Sequence, residues 1–178
     1  MNLKKIKIIS TIGIFILCFL THFIYTLFPN DVFAIFFPVN ESIWEHMKML
    51  YTTILLYGII EYFLILKFNI KTNNYLLNLF ITSIISIPLY LVIFLPIYYK
   101  FGENMIITLT ILFIVIAIIN YLSYYLLKIK EIKYSNILSI TLIIITYIIF
   151  GYLTYNPIKN DLFFDTEEEK YGIDDYMN

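Results

Sequence analysis

The chain has 178 residues, of which 61% are hydrophobic and only 14% charged. A soluble domain is about half apolar and a quarter charged, so this composition excludes a soluble globular fold and predicts a membrane protein. The net charge of -1 provides no basic field for nucleic acid, and the single cysteine, Cys18, excludes a disulfide framework or a thiolate metal cluster within one chain.

The first predicted element is a membrane-spanning helix over residues 8–28. Lys4, Lys5 and Lys7 precede this apolar run, which is too long for the core of a signal peptide and has no small-residue cleavage site after it. The next apolar segment, Val32 to Phe37, is too short to span and is closed by Pro38, which predicts an interfacial or re-entrant turn.

A second helix begins at Ser42, which forms a predicted capping box with Glu45. Further apolar runs of about 20 residues, the length that a bilayer requires, follow along the chain. The predicted fold is an all-α integral membrane bundle, residues 1–154, followed by an acidic C-terminal tail, residues 155–178. The five predicted spans cover about 8–28, 42–66, 75–99, 105–127 and 135–154.

The lysines predict the orientation of this bundle, because cytoplasmic segments carry an excess of basic residues. With a cytoplasmic N-terminus, eight lysines lie inside and four lie outside: Lys4, Lys5, Lys7, Lys67, Lys71, Lys128, Lys130 and Lys133 against Lys48, Lys100, Lys159 and Lys170. We therefore expect the N-terminus inside, and the residue 40–48 segment and the C-terminus outside.

The segment from Phe37 to Lys48 concentrates the polar side chains that are able to carry chemistry. Histidine and carboxylate suit a divalent metal such as Zn, Fe or Mn, and they also suit acid–base work. We predict His22, Glu45 and His46 as metal ligands; two histidines exclude a three-histidine zinc site. The whole candidate polar site, with an aspartate from the tail, comprises His22, Asn40, Glu41, Ser42, Trp44, Glu45, His46, Lys48 and Asp165.

Each of these residues also has a purely structural interpretation. Ser42 and Glu45 are suited to cap a helix, and Trp44 is suited to anchor it at the membrane interface. His22 is able to bond to a hydroxyl group on a neighbouring helix instead of a ligand. Both interpretations stay open at this level.

Glu61 is a carboxylate within the second predicted span. An ionised carboxylate at the centre of a membrane helix costs about 2.5–3.5 kcal/mol on insertion scales, so we expect Glu61 to be protonated or paired. It is a candidate for a proton or cation path from the outer cluster. The structural alternative is a carboxyl group bonded to a tyrosine or to an asparagine such as Asn120.

Three sequence motifs resemble a family of small bacterial membrane proteins catalogued as domain of unknown function 6512. They are His22-Phe23-x-Tyr25, the long segment Phe37-Pro38-Val39-Asn40-Glu41-Ser42-x-Trp44-Glu45-His46-x-Lys48, and Leu162-Phe163-Phe164-Asp165 with Tyr171-Gly172-Ile173. The resemblance implies a multi-pass protein of the bacterial cell membrane, and it implies no particular activity.

Three functions remain open. The first is a binding or enzymatic protein with an outer-face metal site, whose enzymatic form is metal-assisted hydrolysis. The second is a proton-coupled transporter or channel component that uses Glu61. The third is an accessory subunit whose motif docks a protein partner. The lipid bilayer is the one partner that composition predicts, while a protein partner and homo-oligomers stay open.

Overall fold

The structure is a computed structural model that describes residues 1–102, 104–173 and 175–176. Within these residues, five segments are long and apolar enough to cross a bilayer, with α1 and α2 together forming the first. The predicted all-α bundle of five spans is thereby confirmed, while its orientation stays a prediction. The elements are α1 Leu3–His22, α2 Ile24–Leu27, α3 Asp31–Phe36, α4 Ile43–Lys67, α5 Tyr75–Phe101, α6 Met105–Leu126, α7 Ser135–Tyr155, β1 Phe164–Asp165, β2 Lys170–Tyr171 and β3 Asp175–Tyr176.

Helix α1 begins before the apolar run, because Asn2 caps it by accepting a hydrogen bond from the Lys5 N–H at 3.0 Å. The basic residues at its start therefore lie on the helix itself. Lys7 points into the bundle and is only 6% exposed, so it does not belong to the cytoplasmic flank of the orientation count. The lysine bias keeps its sign even when the buried Lys7 and Lys48 are both removed.

Helix α4 is the most buried of the five candidate spans. It packs against α1 on one side and α5 on the other, and α6 closes the ring by contacting both α1 and α5. Gly13 allows α1 to approach α4 closely, because a Cβ at this position would collide with the ring of Tyr57. This close approach brings the end of α1 to the start of α4.

The turn predicted over residues 32–37 is a short helix, α3. Asn30 caps it by accepting from the Phe33 N–H at 3.0 Å, and α3 packs against α7. The Ala34 carbonyl faces the interior and accepts a hydrogen bond from Lys48 Nζ at 2.7 Å. The segment thus covers one end of the bundle and gives α4 a polar anchor.

The residues after α7 fold back onto the start of α4, and we call residues 156–173 the C-terminal cap. Strands β1, β2 and β3 pair antiparallel in that order. The backbone N–H of Trp44 donates to the Leu162 carbonyl at 2.9 Å, and the Trp44 ring stacks on Phe163 with centroids 4.7 Å apart. Gly172 has φ +58°, and a Cβ there would meet the Thr154 carbonyl, so the cap requires glycine at this position.

The predicted capping box is only half present. The Ser42 hydroxyl accepts from the Glu45 N–H at 3.4 Å, as predicted, but the Glu45 carboxylate does not return to the Ser42 N–H. That N–H donates instead to the side-chain oxygen of Asn40 at 3.0 Å. The reason is that Lys48 draws the Glu45 carboxylate into the interior, as described below.

Candidate metal centre at one end of the bundle

His46 lies in the first turn of α4, and a backbone bond fixes its ring. Its Nδ1 is 2.9 Å from the carbonyl oxygen of Ser42. Because a carbonyl can only accept, Nδ1 carries a proton, and Nε2 is the ring nitrogen that faces Glu41. A hydrogen bond of this kind orients the imidazole of metal-binding histidines in many proteins.

Glu41 precedes α4 and is therefore free of the helical geometry. Its backbone N–H donates to Asp165 Oδ2 at 2.9 Å, which ties it to the C-terminal cap. Its carboxylate turns toward the two histidines, with Oε2 3.4 Å from His46 Nε2 and 3.6 Å from His22 Nε2. The side chain is 45% exposed, so the group is open to ions from solution.

His22 is the last residue of α1 and meets His46 across the helix interface. The centroids of the two rings are 5.2 Å apart. The Nδ1 atom of His22 is buried and finds no hydrogen-bond partner among the described residues.

The spacing of these groups could accommodate a metal ion. Zinc binds histidine nitrogen and carboxylate oxygen at about 2.0–2.2 Å, so two ligand atoms on a tetrahedron are about 3.4 Å apart. Hydrogen bonds are shorter, at about 2.7–3.2 Å. Ligand atoms of His22, Glu41 and His46, which we call the His–Glu–His triad, all lie within 4.8 Å of one another.

The predicted ligand Glu45 lies elsewhere. Its carboxylate is 2.5 Å from Lys48 Nζ and accepts from the Val39 N–H at 3.0 Å, and the side chain is 2% exposed. Lys48 also donates to the Thr154 hydroxyl at 2.8 Å. Helical spacing led to the prediction of Glu45 as a ligand. That spacing does not apply to Glu41, because Glu41 lies before α4, which begins at Ile43.

The remaining motif residues form a buried scaffold beneath the triad. Asn40 donates to the Gly172 carbonyl at 2.9 Å and, with Ser42, shapes the turn into α4. The carboxylate of Asp165 is fully buried and accepts from three backbone N–H groups, those of Glu41, Glu167 and Glu168. Asp165 thus joins the predicted cluster as the residue that positions Glu41.

Glu61 lies at the far end of α4 and is paired. Its carboxylate contacts Lys7 Nζ at 2.5 Å and accepts from the Ser10 hydroxyl at 2.5 Å, while the Tyr75 hydroxyl is 3.5 Å away. Fifteen residues of helix separate Glu61 from His46, or about 22 Å at 1.5 Å per residue. The structure does not bring the two predicted polar centres together.

Sequence reasoning missed three side chains of these networks: Lys7, Ser10 and Thr154. The sequence analysis assigned Lys7 to the cytoplasmic flank because it follows Lys4 and Lys5. The carboxylate of Glu61 within a span was the signal that could have identified Lys7, since such a group needs a cation nearby. Thr154 lies 109 residues from its partner Glu45, and nothing local marks it.

Comparison of the chain with known proteins agrees with the motifs. A family model described as "Family of unknown function (DUF6512)" matches residues 1–173, which include all the helices, the triad and the C-terminal cap. Searches of curated proteins and of solved structures found no match. With a match over nearly its whole length, this five-span chain belongs to the DUF6512 family.

Proposed function

We propose that the protein binds one divalent transition-metal ion at the His–Glu–His triad and uses it for hydrolytic chemistry. The observation that supports this most directly is the convergence of both histidines of the chain on one carboxylate. Two histidines and one carboxylate leave a fourth position free on zinc, which is the arrangement of catalytic rather than structural sites.

In this proposal the residues have distinct roles. His22, Glu41 and His46 hold the ion, and the Ser42 carbonyl and Asp165 orient His46 and Glu41 respectively. A bound ion would supply a Lewis acid that lowers the pKa of water and polarises an ester or phosphoester oxygen.

Metal content tests the proposal. The full chain, carrying an affinity tag without histidine, should retain one equivalent of Zn²⁺ or Co²⁺ by plasma mass spectrometry. Tetrahedral Co²⁺ should give visible absorption bands. His22→Ala, His46→Ala and Glu41→Gln should each weaken binding by more than about tenfold, because each removes a direct ligand.

Glu167→Gln is the matched control, since this carboxylate is exposed and belongs to the same cap. It should bind metal like the unmodified chain. Helix content by circular dichroism shows whether each variant has folded. Stoichiometric binding that survives in the His22→Ala/His46→Ala double variant would overturn the proposal, as would an unmodified chain that binds no metal.

The geometry favours the other two functions less. A transport role for Glu61 requires a titratable, accessible carboxylate, yet Lys7 and Ser10 occupy both of its oxygens. A docking role requires free side chains, yet Asn40, Ser42, Glu45 and Lys48 are all buried and bonded within the chain. Within this motif, the side chains of Glu41 and His46 are the polar groups that reach the protein surface.

A further inference from the structure

An apolar cavity of about 340 Å³ adjoins the His–Glu–His triad on the membrane side. Both histidines line it, and the rest of its wall is largely thioether, aromatic and aliphatic, including Met47, Leu109 and Leu112. A volume of this size lies within the range of about 300–1,000 Å³ that is usual for small-molecule sites.

The cavity lies between the end of α1 and the start of α6, and its rim is apolar and exposed. Phe19 and Phe23 from the first span and Met105 from α6 form its rim, and they are 39%, 54% and 72% exposed. In a spanning bundle, apolar residues exposed at this level face hydrocarbon. A molecule can therefore reach the histidines sideways from the bilayer.

A second, more polar cavity of about 120 Å³ lies on the other side of His46, under the C-terminal cap. The two cavities share four lining residues: His46, Met47, Tyr90 and Thr108. Carboxylates and hydroxyls from Glu41, Asp161, Tyr98 and Thr166 line the polar one. The triad is thus placed at the junction of an apolar and a polar compartment.

We infer that this pair of cavities binds a membrane glycerophospholipid, with an acyl chain in the apolar cavity and the headgroup in the polar one. The ester or phosphate of this lipid then lies beside the triad. Its hydrolysis rests on the proposed function, because that reaction requires a metal ion at the triad. Asp161 is the carboxylate of this cavity that is not a proposed metal ligand, and it favours a headgroup that carries an amine.

The change from apolar to polar lining along the path matches an amphiphile rather than a water-soluble substrate.

Photolabelling tests the inference. The full chain is reconstituted in phosphatidylcholine vesicles that contain a little phosphatidylethanolamine with a diazirine on the acyl chain. Crosslinks mapped by mass spectrometry should concentrate on the rim segments, residues 19–23 and 105–112. Leu109→Trp fills the apolar cavity and should reduce this labelling by about tenfold, the equivalent of 1.4 kcal/mol.

Ile118→Trp is the matched control, because Ile118 lies on the same helix and is 43% exposed to lipid away from the cavity. It should leave the rim labelling unchanged. Even labelling of all lipid-facing helices, insensitive to Leu109→Trp, indicates annular lipid only and overturns the inference. Metal content measured on the same samples separates the two proposals: rim labelling that persists in a chain without metal supports the lipid site and removes the metal site.

Discussion

At the scale of single residues, the candidate centre depends on how Glu41 is held. A carboxylate on a long flexible side chain is a poor ligand unless its backbone is fixed, because ordering it costs conformational entropy. Asp165 supplies this constraint from the C-terminal cap with one short hydrogen bond to the Glu41 N–H. Asp165 is itself fixed, because it accepts two further bonds from its own loop.

Asp165→Ala should therefore weaken metal binding without touching a ligand. Loss of the buried acceptor leaves the Glu41 N–H unpaired and frees the turn, and supporting residues of this kind change metal affinity by about 10–100-fold. Isothermal titration with Zn²⁺ measures the effect. Glu167→Ala, which keeps its backbone bond to Asp165, should bind normally. An unchanged affinity in Asp165→Ala would show that the cap does not position Glu41.

At the scale of the helices, polar pairs hold α1, α4 and α7 in register. Lys7 and Glu61 join α1 to α4 at one end, and Lys48, Glu45 and Thr154 join α4 to α7 at the other. The hydroxyls of Thr21 and Thr53 meet at 2.7 Å between the two ends of the α1–α4 interface. Apolar side chains alone fix the alignment of two helices in lipid only weakly. These polar contacts therefore help to set the position of α1 along α4, and with it the position of His22 beside His46.

The Lys7–Glu61 pair should show strong coupling in a double-mutant cycle. Lys7→Met or Glu61→Gln alone leaves one buried group without its partner, so each should destabilise the fold by about 3–5 kcal/mol. The double variant should recover much of that loss, since no buried charge remains. Unfolding in detergent, followed by circular dichroism, measures the cycle. Purely additive losses would contradict a direct ion pair.

Sequence patterns predicted the elements well because the spans are long, nearly continuous apolar runs between lysines and asparagines. They also predicted that His22, the segment around His46 and the tail lie on one side of the bundle, and they left open whether the two histidines meet. They selected Glu45 as the carboxylate ligand, whereas the structure places Glu41 beside the histidines. The position of Glu41 depends on where α4 begins and on its contact with Asp165, 124 residues away. Helical spacing cannot report a contact of that kind.

At the scale of the whole molecule, the orientation across the membrane decides which compartment the triad faces. Lysine counting predicts that the triad and the C-terminal cap face outward, because seven exposed lysines remain at the opposite end once Lys7 is removed from the count. A triad on the outer face would be accessible to metal ions outside the membrane and to lipids of the outer leaflet.

Cysteine labelling in intact cells tests this orientation. Cys18 is buried and is replaced by serine to give a background without reactive thiols. In that background, Glu167→Cys should react with a membrane-impermeant maleimide, while Lys130→Cys should react only after permeabilisation. The reverse pattern would place the triad on the cytoplasmic side.

The bond between Asp165 and Glu41 also bears on biosynthesis. A chain emerges from the ribosome N-terminus first, so α1 and the start of α4 are made long before the segment that fixes Glu41. The arrangement of the triad is therefore completed only after α7 and the C-terminal cap have been made. A chain cut short in the C-terminal cap would keep its five helices and both histidines, yet lack the finished centre.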